Sequence, residues 1–106
     1  MQTAPASLVH VVIAAFRPDT PDATRLALQQ EQAALGEACG GAAAGILHWT
    51  AGPNLDQRKG YHLVEFSVFA DQAAFQRFKQ HPAHVAFAMK MREAADWVIG
   101  DIEAHL

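Results

Sequence analysis

The chain has 106 residues, half of them hydrophobic by count, with a formal charge of −3 and a single cysteine. That length fits one domain, residues 1–106 with a core from 8 to 103, and such a small domain hides only about two-thirds of its unfolded surface. The acidic balance argues against a nucleic-acid partner, which needs a basic face, and a lone Cys39 excludes an intrachain disulfide and fits a reducing cytoplasm.

Leu8 to Phe16 is β-branched and continuous, as in a strand buried on both faces. It contains His10 and is too short to span a bilayer; with no basic leader before it, a cytoplasmic location is expected. Thr20-Pro21-Asp22 combines an N-cap, a first-turn proline and an acidic residue, and predicts a helix running to about Leu35 and stopping at Gly36. A Gly- and Ala-rich connection leads to a second strand, Gly45 to Thr50. Tyr61 to Phe69 alternates and predicts a third strand. Asp71 is a natural N-cap for a helix carrying Phe75 and Phe78. Gln80 should end that helix, because Pro82 suits the first position of the next one and excludes His81 from the α region. A last strand runs from about Trp97 to Glu103. The order is β-α-β-β-α-β, an α+β ferredoxin-like fold with a four-stranded antiparallel sheet and helices on one face.

The other sheet face then needs cover. Val9, Val11 and Ile13 share one side of the first strand, and Leu63, Ser67 and Phe69 share one side of the third. Packing two such faces about a two-fold axis hides both and predicts a homodimeric α/β barrel.

Strand alternation groups His10 with Val12, and His62 with Val64. If both groups lie under the helices, both histidines approach one cavity. His84, Phe87 and Met91 share a helix face that points toward the same space. Phe78, Leu28, Phe87 and Met91 are core residues that double as apolar cavity walls. His84 is the candidate base, with a side chain suited to proton transfer near neutrality; its structural alternative is a hydrogen bond to a backbone carbonyl at the helix junction. His81 caps or packs that junction. Tyr61 and Glu65 fall on the opposite parity from His62 and are expected on the dimer side or rim. Three histidines also raise a metal site, but no evident carboxylate accompanies them, so neither metal nor cofactor is expected.

The segments Leu8-Val9-His10-Val11-Val12, Gly60-Tyr61-His62, His81-Pro82-Ala83-His84-Val85-Ala86-Phe87 and Trp97-Val98-Ile99-Gly100-Asp101 resemble the stress-responsive A/B barrel (Dabb) family of dimeric α+β barrels. Within that family the chain is similar to polyketide cyclases of the olivetolic acid type. This resemblance implies that His84 is the base of an intramolecular aldol closure. It also implies a tyrosine three residues before the motif, where this chain has Phe78, which has no hydroxyl to donate. Three functions follow as expectations. The first is a small dimeric protein that binds a small apolar or aromatic molecule in a helix–sheet cavity. The second is a cofactor-independent enzyme, a cyclase, lyase or monooxygenase-like catalyst with His84 as base. The third is a structural or interaction module. A shifted His84 with a second proton donor would favour the enzyme.

Overall fold

The computed structural model describes residues 6–105. The elements are β1 (Ser7–Phe16), α1 (Asp22–Ala38), a short 3-10 turn (Gly41–Ala44), β2 (Ile46–Pro53), β3 (Leu63–Phe69), α2 (Gln72–Gln80), α3 (Pro82–Ala94) and β4 (Ala95–Ala104). The strands form one antiparallel sheet in the order β2-β3-β1-β4. This is the ferredoxin-like fold, with its second helical region broken in two.

The break has a local cause. His81 is extended before Pro82 (φ −65°, ψ 136°), its Nδ1 accepts from the Ala83 amide at 3.0 Å, and Pro82 opens α3. At the start of α2, the Asp71 carboxylate accepts from Ala74 N at 2.8 Å. Thr20, expected to cap α1, does something else. Pro21 holds the cap position with no side-chain bond, and the buried Thr20 hydroxyl donates to Ala94 O at 2.8 Å, pinning the α1 entry to the end of α3.

Gly36 does not stop α1, which continues to Ala38. It is buried where the helix meets Trp49, and a Cβ there would lie 2.5 Å from Trp49 Cγ. The indole is held in place by a bond from its Nε1 to Gln32 O at 3.0 Å. Alanine ordinarily favours a helix over glycine by about 1 kcal/mol, yet overpacking costs about 1–3 kcal/mol. Gly36→Ala is therefore expected to lower stability by up to about 2 kcal/mol, read as a shift of the urea midpoint.

Residues paired across an antiparallel ladder share a face. His10 pairs with Ser67 and Asp101, and Val12 pairs with Glu65 and Ile99. The helices therefore cover Leu63, Glu65, Ser67 and Phe69, not the even-numbered residues of β3. The expectation that Val64 lines the helix-side cavity is corrected: Val64 pairs with Ile13 and points the other way. The expected bare-face trio Leu63, Ser67 and Phe69 is corrected in the same step, since these are 1%, 0% and 0% exposed under the helices. β3 carries large apolar residues on both faces, so its composition alone does not say which face is covered. The open face consists of Val9, Val11 and Ile13 with Val64, Phe66 and Val68, with Val98, Gly100 and Ile102 from β4 and His48, Thr50 and Gly52 from β2. Phe66, Val98 and Ile102 are exposed there.

The core beneath the helices is aromatic. Phe69 lies 5.0 Å, centroid to centroid, from both Phe75 and Phe78, and Phe78 lies 5.4 Å from Trp49. Cys39 is buried at the core edge, and burial pushes its thiol above the ordinary cysteine range. Among the described residues, no helix is long and apolar enough to cross a membrane.

Candidate functional site

α2 and α3 stand off the sheet beside α1 and enclose a cavity of about 310 Å³, at the lower end of the range for small-molecule sites. Its walls are mostly apolar and aromatic: Val12 and Ile99 from the sheet floor, Phe75 and Phe78 from α2, Phe87, Ala88 and Met91 from α3, and Trp97 from β4. The polar groups come from separate elements: His10, Gln32, Glu65, Lys79, His84, Arg92 and Asp101.

His84 sits in the first turns of α3, where the proline-broken junction turns its ring back over α2. Its Nδ1 lies 3.0 Å from Lys79 O, and its ring centroid lies 4.5 Å from that of Phe78. A carbonyl only accepts, so Nδ1 carries the proton and Nε2 keeps its lone pair. Burial depresses the pKa of His84 below the ordinary histidine value. The Lys79 carbonyl bond opposes that shift, and the charges of His10 and Lys79 add to it. Near neutral pH the ring is an uncharged imidazole with one free basic nitrogen.

The inner wall carries an acid–base chain. His10 Nδ1 lies 2.5 Å from Asp101 Oδ1, directly across the β1–β4 ladder, and its Nε2 lies 3.5 Å from Glu65 Oε2. The His10 ring rests on Phe75 at 5.0 Å between centroids. Glu65 also accepts from Gln32 Nε2 at 3.1 Å. Glu65 is 4% exposed, and burial raises its pKa above the usual glutamate value of 4.5 against the opposing effects of the Gln32 bond and the His10 charge. A carboxyl that keeps its proton is a donor, so this wall can supply a proton as well as accept one.

The shift has a consequence for stability. A raised folded-state pKa means that the folded chain binds this proton more tightly than the unfolded chain. Its contribution is full below the ordinary glutamate value and lost as pH rises above it. Glu65→Gln keeps the size and removes the buried charge. Its thermal midpoint relative to wild type is therefore expected to rise between pH 4 and pH 7, measured by circular dichroism; a constant or falling difference would contradict the burial account.

Of the residues singled out in the sequence, His10, Val12, Phe78, His84, Phe87 and Met91 line this cavity. Three others do not. His62 precedes β3; its Nδ1 accepts from Phe16 N at 2.9 Å and its amide donates to Ala14 O at 2.8 Å, so it ties the end of β1. Val64 lies on the open sheet face. Leu28 is 3% exposed in the core and borders a separate surface groove between α1 and the end of α3. With His62 elsewhere, the three histidines do not converge, and among the described residues no group of three His, Cys, Asp or Glu side chains is arranged to hold a metal.

Glu65, Gln32 and Asp101 were missed as site residues. Glu65 falls on the helix side and not, as expected, on the dimer side or rim. One sequence signal was present: Leu63, Glu65, Ser67 and Phe69 form one strand face with two polar residues between two large apolar ones. Gln32 is one of three glutamines in α1 and carries no signal of its own. Asp101 becomes meaningful only through its register with His10.

Comparison with known proteins accords with this architecture. An uncharacterized protein of Streptomyces coelicolor is 36% identical over 67 residues, covering 62% of this chain and 69% of that protein. A dimeric ferredoxin-like protein of unknown function from Thermobifida fusca superposes with a TM-score of 0.80 at 12% identity, covering 97% of this chain and 95% of the other. The hydroxynitrile lyase of Passiflora edulis superposes with a TM-score of 0.77 at 19% identity, covering 95% of each chain. At such identities the two structures speak for the fold alone. The family model of the Stress responsive A/B Barrel Domain matches residues 8–104. The chain belongs to the stress-responsive A/B barrel family.

Proposed function

We propose that this protein, as a homodimer, takes a small, largely aromatic carbonyl or phenol compound into the helix–sheet cavity, and that His84 removes a proton from it. The observation that carries the reading is the state of His84: Nδ1 is committed to the Lys79 carbonyl, and Nε2 is unprotonated in an aromatic cavity. In the step envisaged, a C–H next to a carbonyl, or a phenolic O–H, gives its proton to Nε2. The electron pair remains on the ligand as an enolate or phenolate. At the inner wall burial raises the Glu65 pKa and so favours the carboxyl form that can donate to that oxygen, a role Phe78 cannot fill.

Binding without turnover is the simpler form of the same reading. The aromatic lining alone favours occupancy, and a structural or interaction role gives no reason for an unprotonated imidazole and a raised carboxyl facing one cavity. Acetophenone is a suitable first probe, since it has an aromatic ring, one carbonyl and exchangeable methyl protons. On titration, backbone amide resonances of Phe78, His84, Phe87 and Trp97 are expected to shift together and saturably. Shifts confined to the open sheet face, or none at millimolar probe, would contradict the reading.

A further inference from the structure

Most of the cations of this chain are engaged. Arg17, Arg58 and Lys90 pair with Asp96, Asp56 and Glu31, and Arg25 and Arg77 donate to backbone carbonyls. Among the described residues, that leaves Lys59, Lys79 and Arg92 without an acceptor, and the last two border the helix–sheet cavity. The acids of the same cavity are already committed: Asp101 holds His10, and burial favours the neutral form of Glu65. A chain with a formal charge of −3 thus turns unpaired positive charge toward an aromatic cavity. Lys79 is the better placed of the two cations. Its Nζ lies 4.6 Å from the centroid of the Phe75 ring, and both side chains line the cavity. A ring face attracts a cation, so Phe75 steadies the flexible lysine stem against the cavity wall. The backbone carbonyl of the same residue holds Nδ1 of His84, which puts Lys79 beside the base. Arg92 lies about 12 Å from His84 along the α3 axis, at about 1.5 Å per residue. The place of Lys79 in the last turn of α2 also suits the helix dipole, but a dipole does not lay the ammonium over a cavity wall.

We propose that Lys79 is the anion-recognition residue of the cavity, and that the ligand carries a carboxylate on its aromatic carbonyl frame. This rests on the reading of the cavity as a ligand site and narrows its substrate class to aromatic carbonyl compounds that bear an acid group. The ligand then has two polar ends, a carbonyl or acidic proton for His84 and a negative charge for Lys79. One ammonium is a compact point charge with three donors and no fork, and it suits a singly charged group.

The test titrates the protein with para- and meta-acetylbenzoate and with the neutral acetylbenzamides of the same shape, with dissociation constants from amide chemical shifts. At low ionic strength the wild type is expected to bind one of the acids about fivefold more tightly than its amide, the upper worth of an accessible ion pair. The preference should shrink in roughly 1 M salt, where the screening length is only about 3 Å. Lys79→Gln is expected to bring acid and amide level, and Lys79→Arg to keep the preference. Lys59→Gln removes the same charge outside the cavity, beside the β2–β3 loop, and should leave the preference in place. The Lys79 side chain is exposed, so its replacement probes the ligand contact and spares the fold. Equal binding of acids and amides to the wild type overturns this inference and leaves the cavity reading intact. So does a preference that survives Lys79→Gln, including one that is lost instead with Arg92→Gln. Failure of acids and amides alike to bind overturns the cavity reading and this inference together.

Discussion

Substituting His84 with alanine is expected to slow the exchange of acetophenone methyl protons for deuterium by about a hundredfold or more, the usual contribution of a positioned base. The fold should survive, since His84 is only half-buried and its one hydrogen bond reaches the end of α2. The pH dependence follows from the direction of the shift. Burial lowers the His84 pKa, so its base form persists to a lower pH than for an ordinary histidine. The exchange rate should therefore begin to fall at a lower pH than it would with an ordinary histidine as base. Proton NMR against time in deuterated buffer reads both effects. A rate that survives His84→Ala within a few-fold makes the histidine a junction device, bonded to Lys79 and packed on Phe78 for stability alone.

The second large effect concerns the open sheet face. Val11, Ile13, Val64, Phe66, Val98 and Ile102 leave apolar surface on a sheet face with no helix over it. Surfaces of that kind are costly in water and mark interfaces. A two-fold axis through the face lets one patch cover its own copy. Sedimentation of the wild type at micromolar concentration is expected to give about twice the 11.5 kDa chain mass. Phe66→Asp places one carboxylate from each subunit in that interface. Burying each charge costs several kcal/mol, so the dimer dissociation constant should rise by about a thousandfold or more. A wild-type chain that sediments as a monomer, or a Phe66→Asp chain that remains a dimer at the same concentration, would contradict the barrel assembly.

The fold was legible because its determinants are local. Pro82 forces the α2–α3 break, Asp71 caps α2, and the period-two and 3.6 patterns mark the elements. The errors arose where a residue type has two uses. Gly36 read as a helix stop, but its smallness serves the Trp49 contact. Thr20 read as a cap, but its hydroxyl reaches a carbonyl 74 residues away in sequence.

The site was half legible. The helix face of His84, Phe87 and Met91 follows from helical spacing, and His10 with Val12 follows from strand alternation. Which face of β3 joins them is a matter of register. A shift of one residue exchanges Glu65 for Val64, and the one local sign of the choice is the pair of polar residues, Glu65 and Ser67, on a single face of an apolar-rich strand. The Glu65–His10–Asp101 chain therefore appears only once three strands are paired, and the unpartnered Gln32 oxygen only once α1 is laid over them.

The central claim is that His84 presents an unprotonated Nε2 to a ligand cavity, and nitrogen NMR of the imidazole tests it most directly. In protein labelled with nitrogen-15 histidine, the free state at pH 7 should show the Nδ1–H tautomer for His84, with Nε2 at the shift of an unprotonated nitrogen. Addition of para-hydroxyacetophenone should move the Nε2 signal and leave that of His62, which is bonded to the Phe16 amide outside the cavity, in place. An Nε2–H tautomer in the free protein, or a His84 signal indifferent to a probe that demonstrably binds, would contradict the account.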